Sequence, residues 1–446
     1  MSSAKDNDKG RANAIESTAS LPLPPGTLGL PFLGETVPFL KNPIAFFESR
    51  FQEHGSIFKT RILGDDVICL VGREAVAFLY DERFFQREGG SPPHFKKIFG
   101  ELAVVFKDDA AHRRTRRLMA QVFSPEALAG YRGTIDRVVA RYVKKWETAQ
   151  EVRGVDEVGA LCFAIANSLF GGADPEVDDP HRAKLFQAVL SGILSPPIAL
   201  PFTAWTRALN ARAELSADIG RVVDAFQPGP DRHVLARMMA ARDGGGGFTP
   251  DEVKTECLHF YAATYAPVQS AACHLLTALA QHPEVREKAR AAALAGNDAY
   301  VDQVTREVRR VYPIVASSFF AKVKLDCEFG GYRLPKGWKA VAGLHASMKD
   351  ERVFPRADQF DPDRFAPGRH LLEQQPTGYL PHGGGTMAGH RCAGEPLADL
   401  ILRSIAVGLL RDHTWELPPQ DLTLKPAGLT PLPVDGLRVR FRRLTG

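Results

Sequence analysis

The chain has 446 residues, of which 44% are hydrophobic and 24% charged, with 39 Gly and 32 Pro. This ordinary globular composition argues against disordered, fibrous and disulfide-scaffold proteins. The formal net charge of +4 is too balanced to predict a nucleic-acid partner, although a mild basic excess suits an acidic docking partner. At ~150 residues per domain the length suggests two or three domains, unless one large fold encloses something.

The N-terminal segment, residues 1–20, is polar and charged and lacks the apolar core of a signal peptide or membrane anchor. We expect a disordered leader there, followed by one domain over residues 21–446. The six cysteines are scattered without a C-x-x-C pair, which predicts neither disulfides nor a zinc site. The expectation is a monomeric cytoplasmic protein without a membrane anchor.

The first regular elements are two strands, residues 55–63 and 66–71, joined by a turn at Gly64-Asp65. From Asp108 to about residue 300 the signals are mainly helical, and Ser124 begins one helix. The uncharged run that follows Lys184 contains three prolines, which interrupt helices. We therefore predict a loop over 186–205 between two helices, acting as an apolar lid over a pocket.

The strongest predicted helix begins after four glycines. Thr249 is its N-cap, Pro250 its first residue, and Glu252 completes a capping box. Nothing stops this helix before His282, so its ~32 residues would span ~48 Å. Its one irregularity is Pro267, in the middle.

Short strands and turns are predicted after Pro313, then a loop-rich stretch and a final helix from about Pro396 to Leu410. Together, these elements predict a mainly α protein with small β-sheets and a long central helix. We expect one large domain that encloses a ligand.

The most informative segment is the cysteine loop, residues 379–395, with the sequence YLPHGGGTMAGHRCAGE. Its glycines, Gly385 and Gly394 among them, allow the backbone to approach a flat ligand closely. Cys392 lies just before a helix start, where backbone N–H groups favour a thiolate, and His390 adds positive character. A thiolate is a good axial ligand for haem iron and favours O–O cleavage. Taken alone, the loop is equally compatible with a buried structural cysteine.

Two further motifs precede this loop in the chain. Glu307-Val-Arg-Arg310 is a Glu-x-x-Arg pattern, and Pro362-Asp-Arg-Phe365 is a second element. In this order and spacing, the three motifs resemble the cytochrome P-450 superfamily from about Leu21 onward. The resemblance implies the P-450 fold, haem b as cofactor, and a network of Glu307, Arg310 and Arg364 that supports the cysteine loop.

The resemblance also implies contacts to the cofactor. Cys392 corresponds to the iron ligand, and Gly385 and Gly394 flank it in the loop. The stretch after Asp108 resembles a helix whose His112 and Arg116 contact the haem propionates, as charge-assisted donors can. His390 matches a second propionate-contacting position. The alternative for the helix is a solvated basic face.

The long helix lacks a feature of most oxygen-activating members, an acid followed by a threonine that relays protons to bound dioxygen. Counting back from Gln281, this pair falls at Ala266 and Pro267, and neither can relay a proton. Thr264 or Tyr265, about one turn earlier, is a candidate hydroxyl donor, although such residues are more often satisfied core residues. A kink that binds nothing is the alternative for the proline.

The proline is shared with one branch of the superfamily, the bacterial fatty-acid peroxygenases, which use hydrogen peroxide instead of electrons and dioxygen. The segments Phe85-Gln86-Arg87 and 97–100 are similar to that branch. There, an arginine precedes the proline and pairs with the substrate carboxylate. Here Ala266 stands at that position, so a buried carboxylate would lack its cation. The opening residues 23–36 also resemble a bacterial retinoid- and lipid-hydroxylating group.

The resemblance therefore implies a haem-thiolate oxidoreductase that hydroxylates or oxidatively couples a hydrophobic small molecule held between residues 85–93 and 263–268. Cys392, Thr264, Ala266 and Pro267 are the predicted catalytic positions. We expect peroxide as the oxidant. The alternatives are a monooxygenase using dioxygen with electrons from a ferredoxin- or flavodoxin-type partner, a lyase or isomerase acting on a lipid hydroperoxide, and a non-catalytic haem sensor or carrier.

Overall fold

The computed structural model describes residues 19–193, 195–227, 233–427 and 430–444. The predicted leader lies outside these residues except for 19 and 20. The α-helices are α1 Thr36–Lys41, α2 Pro43–His54, α3 Arg73–Leu79, α4 Pro93–Phe99, α5 Asp109–Val122, α6 Pro125–Ala149, α7 Gly154–Phe170, α8 Pro180–Ile193, α9 Ala204–Asp224, α10 Val234–Ala240, α11 Pro250–Gln281, α12 Pro283–Leu294, α13 Asp298–Val311, α14 Leu344–Ser347, α15 Leu371–Gln374 and α16 Glu395–Leu410. Helix therefore dominates the described chain, as predicted.

The strands are short and form four small sheets. They are β1 Ile57–Ile62, β2 Asp65–Val71, β3 Phe85–Gln86, β4 Glu151–Arg153, β5 Ala321–Val323, β6 Cys327–Phe329, β7 Tyr332–Leu334, β8 Lys339–Gly343, β9 His413–Glu416, β10 Leu424–Ala427, β11 Thr430–Pro433 and β12 Arg438–Arg443. The largest sheet has the order β1-β2-β8-β5-β3, a second has the order β4-β12-β9, and β6-β7 and β10-β11 are hairpins.

The first two predicted strands are confirmed, with one change at the turn. β1 and β2 pair antiparallel from Ile57 opposite Leu70 to Ile62 opposite Asp65. Asp65 is therefore the first residue of β2, and the turn is Leu63-Gly64. Gly64 has a φ of 86°, a left-handed conformation that glycine adopts without steric cost.

Helix α11 is confirmed from its cap to its end. The Thr249 side chain accepts a hydrogen bond from Glu252 N at 3.2 Å, and the Glu252 carboxylate accepts one from Thr249 N at 3.0 Å. The 32-residue helix runs to Gln281 with Pro267 inside it. It contacts α7, α9, α13 and α16, so it is buried on most sides and forms the centre of the main hydrophobic core.

The predicted loop over 186–205 is wrong at both ends. Helix α8 continues to Ile193, and its apolar face buries Phe186. Helix α9 begins at Ala204 after the N-cap Thr203. The three prolines act only in the segment 195–203, because a proline does not disturb the helical residues that end before it. Within the described ranges, no helix is both long and apolar enough to span a membrane.

Candidate active site

The cysteine loop presents an accessible thiol just before helix α16. Cys392 N donates a hydrogen bond to the His382 carbonyl at 3.1 Å, which holds the loop closed. Burial raises the pKa of the Cys392 thiol, whereas a hydrogen bond from the Gly394 backbone N–H lowers it. Because the thiol is both accessible and desolvated, it opens into a recess of the protein. The helix position alone therefore does not make Cys392 a thiolate, and a positive partner such as a metal ion is needed.

The glycines before the cysteine have a structural reason that differs from the predicted one. A Cβ on Gly383 would lie 2.4 Å from the Tyr80 hydroxyl, and a Cβ on Gly384 would lie 2.9 Å from the same ring. Gly385 has a φ of 77°, and its Cβ would lie 3.1 Å from Tyr80. These glycines therefore allow the loop to pack on an aromatic side chain of the protein. By contrast, a Cβ on Gly394 would meet only Cys392 Sγ, at 3.9 Å.

The predicted charge network behind the site is present and buried. Glu307 forms a bidentate pair with Arg310, at 2.7 and 2.8 Å, and accepts from Arg364 Nε at 3.1 Å. Glu307 and Arg310 have no exposed surface, and Arg364 is 5% exposed. The two guanidinium groups also donate to backbone carbonyls, including that of Gln359. The network thus fastens α13 to the chain around residues 355–364.

Contact from α13 to the cysteine loop runs through a neighbouring arginine that the sequence did not single out. Arg309 Nη1 donates to His382 Nε2 at 2.8 Å and lies 2.5 Å from Asp399 Oδ1. His382 is the residue whose carbonyl holds Cys392 N. Arg309 therefore supports the loop directly, while Glu307, Arg310 and the residues around them stabilise the helix that carries it.

The three predicted propionate-contacting residues come together beside the cysteine loop. The rings of His112 and His390 stack with centroids 3.8 Å apart. Arg116 donates to the Met387 carbonyl, inside the loop. Its Nε and the His112 Nδ1 are buried without a hydrogen-bond partner among the described residues. Unpartnered buried donors of this kind indicate that an acceptor belongs there.

The charge of this cluster favours an anion over a metal cation. Glu82, His112 and His390 could by spacing alone hold a metal ion, since their ligand atoms lie within 4.8 Å of one another. Burial and nearby arginines, however, lower the pKa of His112 to about 4 and that of His390 to about 2. Surroundings that oppose a proton on these rings also oppose a cation. The donors of His112, Arg116 and His390 therefore fit the propionate carboxylates of a haem. The Cys392 thiol is available to bind its iron.

Arg114, on the same helix as His112 and Arg116, is not a free surface cation. It pairs with Glu252 at 3.0 and 3.1 Å, and Lys107 joins the same carboxylate at 3.1 Å. This ties α5 to the first turn of α11. The sequence could not show the pairing, because Arg114 and Glu252 are distant in the chain.

The long helix presents a small apolar face to the recess. Ala263 is exposed on an otherwise buried helix, and Ala266 and Pro267 are half-buried. Thr264 is 9% exposed and lies about 100° around the helix from Ala263. Tyr265 shares a side-chain hydrogen bond with Gln187 and packs on Phe186, away from this face. Ala263, Ala266 and Pro267 are thus the more accessible positions here, whereas Thr264 is buried and Tyr265 packs on Phe186.

The comparisons with known proteins agree with this architecture. Residues 24–433 match the family described as "Cytochrome P450". Cytochrome P450 26B1 of Mus musculus is 30% identical over 457 residues, covering 96% of this chain and 88% of its own. The solved structure "Retinoic acid bound cyanobacterial CYP120A1" is 31% identical with a TM-score of 0.87, covering 95% of this chain and 100% of its own.

A second solved structure, cytochrome P450EX alpha (CYP152N1) with myristic acid, is 25% identical with a TM-score of 0.78. It covers 95% of this chain and 100% of its own. The match extends over nearly all of the chain and includes the cysteine loop and the Glu307 network. The chain belongs to the cytochrome P450 family, whose members are haem-thiolate enzymes acting as monooxygenases.

Proposed function

We propose that this P450 uses hydrogen peroxide to oxidise an elongated hydrophobic molecule. In hydroxylation, one substrate C–H bond breaks and one C–O bond forms, while the second peroxide oxygen leaves as water. In oxidative coupling, two C–H bonds break, one bond joins the two carbons, and peroxide is reduced to two molecules of water. Both reactions consume two electrons' worth of oxidant and need no external reductant.

One observation carries the choice of oxidant. Near the middle of α11, Ala263 is exposed and Ala266 and Pro267 are half-buried, and none of these side chains can donate a proton. Dioxygen must receive two electrons and two protons before it reaches the oxidation level of hydrogen peroxide. Hydrogen peroxide already contains these electrons and protons. A reaction with peroxide therefore depends less on an acid–alcohol pair at these positions.

The chain's own residues have distinct roles in this proposal. Cys392 holds the haem iron, and His112, Arg116 and His390 hold the propionates. Haem supplies O–O cleavage when it is bound, which thiolate ligation favours. Pro267 has no N–H to donate to the Ala263 carbonyl one turn earlier. That carbonyl is free to accept a hydrogen bond from peroxide and to orient it.

The substrate class is supported by the recess and by the relatives. The apolar face of α11 suits an apolar ligand. The similar CYP120A1 structure holds retinoic acid, and the CYP152N1 structure holds myristic acid. Both ligands are long and hydrophobic with one polar end. We infer an elongated amphipathic substrate for this chain, with oxidation at an apolar carbon.

The test compares oxidants on the same holoprotein. Retinoids and C14 fatty compounds are incubated either with hydrogen peroxide or with NAD(P)H, a ferredoxin reductase and a ferredoxin. We expect product with peroxide alone. Strict dependence on NAD(P)H and the redox pair would show a conventional monooxygenase instead. This is the second candidate, because the chain is 30% identical in sequence to cytochrome P450 26B1. Consumption of a lipid hydroperoxide without added oxidant would show the lyase alternative.

A single substitution tests the alignment with the peroxygenase-like branch. Ala266→Arg places a cation beside Pro267 and facing the recess. We expect myristic acid to bind at least tenfold more tightly to this variant, because a buried carboxylate then gains a charge-assisted partner. The readout is the spin-state titration of the iron. Ala266→Leu is the control without charge, and equal affinity in both variants would contradict the alignment.

A further inference from the structure

A buried acid–histidine pair lies on α11 one turn before the apolar face, and the mechanism proposed above does not use it. His259 Nδ1 is 3.1 Å from Glu256 Oε2, and the two residues are three positions apart. The other carboxylate oxygen of Glu256 accepts from Val104 N at 2.7 Å. Glu256 has no exposed surface, and the His259 side chain is 10% exposed. The carboxylate is thus fully committed to holding one ring nitrogen of His259.

The other ring nitrogen faces open space. His259 Nε2 has no hydrogen-bond partner among the described residues, yet this atom is not fully buried. The ring packs edge-on against Phe99, with centroids 5.9 Å apart, and Phe99 in turn packs on Phe319. His259 and the exposed Ala263 are one turn apart on the same helix face. The free nitrogen therefore belongs to a ring that lies on the Ala263 side of α11, beside Phe99.

Helix α5 connects this part of α11 with the cysteine loop, because its Arg114 pairs with Glu252. Arg116 donates to the Met387 carbonyl of the cysteine loop. Arg116 is also close enough to interact electrostatically with both Cys392 and Glu256, so the acid–histidine pair and the thiol lie in the same region of the protein. The Glu-x-x-His spacing within an apolar helix is visible in the sequence, but helix periodicity alone does not show which face of the helix meets a ligand.

Hydrogen bonding fixes what the free nitrogen offers. A carboxylate that accepts from Nδ1 keeps a proton on that nitrogen, which leaves Nε2 to contact a ligand, and Nε2 of an imidazole with its single proton on Nδ1 is an acceptor. An alcohol O–H can donate to it. A substrate carboxylate would require a protonated ring between two carboxylates in a desolvated site, which costs more than the alcohol contact.

We propose that His259 anchors a hydroxyl group of the substrate, with Glu256 as its positioning residue. The inference rests on the proposed function only in placing an elongated hydrophobic substrate in this recess, and it is independent of the oxidant. From His259 to Pro267 the helix rises about 12 Å. The anchored hydroxyl therefore lies about two helical turns from Pro267, and the carbon to be oxidised would belong to the opposite end of the molecule.

The experiment measures binding to the haem-loaded full chain by the spin-state shift of the iron and by calorimetry. Two matched pairs are used, tetradecan-1-ol with its methyl ether and retinol with its methyl ether, together with myristic acid. In the wild type we expect the alcohol of at least one pair to bind roughly tenfold more tightly than its ether, the upper range for one neutral hydrogen bond. His259→Phe keeps the ring shape and should remove this preference without weakening the ether more than about twofold.

Two further variants separate anchoring from general damage. His259→Gln retains an acceptor and should keep part of the alcohol preference. His274→Phe is the matched control, because His274 is a buried histidine on the same helix that stacks on Tyr312 at 4.7 Å, and it should keep the full preference. An alcohol preference unchanged in His259→Phe, or no preference in the wild type, overturns the proposal.

Other outcomes are also decisive. Tighter binding of myristic acid than of tetradecanol, lost in His259→Phe, overturns the hydroxyl assignment in favour of a protonated ring. Equal binding of alcohols and ethers with clear spin shifts rejects the anchor but leaves the proposed substrate class intact. If none of the five probes binds, the substrate class itself is wrong and the anchor is rejected with it.

Discussion

Cys392 shows how opposing local effects are balanced at the site. Its position before α16 and the Gly394 N–H favour the thiolate, while burial favours the thiol, and the pKa is raised. Arg391 precedes it but is paired with Glu395 at 2.6 and 2.8 Å, so its charge is largely neutralised. The protein alone therefore holds Cys392 with a raised pKa, and the positive charge of a bound haem iron would favour its thiolate.

The first prediction concerns this ligand. Cys392→Ser should abolish the red-shifted Soret band that a thiolate-ligated ferrous haem gives with carbon monoxide, because serine supplies no thiolate. Cys327→Ser is the control, since Cys327 is a buried cysteine in strand β6, away from the loop. A thiolate-type spectrum retained in Cys392→Ser would refute the assignment of the iron ligand.

Among the elements, α13 connects the fold to the site. Its Glu307 pairs with two arginines, and Arg309, two residues later, supports the cysteine loop through His382. A helix of 14 residues carries both because consecutive positions point in different directions. The Glu-x-x-Arg spacing is readable because it closes within one turn. The link from Arg309 to His382 is not readable, because the two residues are 73 positions apart.

The second prediction tests this element. Glu307→Gln leaves two buried guanidinium groups without their carboxylate, which should lower the free energy of unfolding by about 3–5 kcal/mol. Denaturant unfolding and the fraction of chains loaded with haem are the measurements. Glu284→Gln is the control because its side chain is 70% exposed, and it should change the free energy by less than about 0.5 kcal/mol. A loss no larger than the control's would contradict the structural role of the network.

Some features of helix α11 are set by residues close together in the chain, whereas others depend on the elements that pack around it. Its cap, length and internal proline follow from Thr249, Glu252 and Pro267 as the sequence predicts. Its functional face does not, since it is buried on several sides and lacks the polar stripe that marks orientation in a surface helix. The incorrect prediction of a loop over 186–205 has a related cause. The uncharged residues before the prolines are assigned to the predicted loop, whereas Phe186 lies in a helix and is only 2% exposed.

For the whole molecule, buried neutral histidines make stability depend on pH. Burial lowers the pKa of His274 to about 3 and, with Lys349, Arg310 and His274 nearby, that of His345 to about 3. The unfolded chain binds protons at ~6.5, so between pH 6.5 and 3 it binds more than the folded chain. Stability is therefore full above pH 6.5 and falls as the pH decreases.

The third prediction follows from this dependence. Each of these two histidines should reduce the free energy of unfolding by about 2 kcal/mol between pH 7 and pH 5. His274→Phe should flatten the decline by about that amount, as measured by urea unfolding at several pH values. His181→Phe is the control, since the His181 side chain is 70% exposed. An identical slope in wild type and His274→Phe would show that His274 does not contribute.

The sequence by itself determined the features that are complete within one turn, one strand pair or one loop. Among these are the Cys392 loop, the Glu-x-x-Arg motif, the bounds of α11 and the proline inside it. Hydrogen bonding and helix periodicity over a few residues are enough to specify them.

Only the tertiary structure decided which groups meet across the chain. It packed Gly383 and its neighbours on Tyr80, stacked His112 on His390, and placed His259 against Phe99 and Tyr265 against Phe186. The physical reason is that long-range packing selects among helix faces that are equally apolar in sequence. The sequence specifies the chemical nature of each side chain. The packing of helices and strands against each other determines which surface that side chain faces.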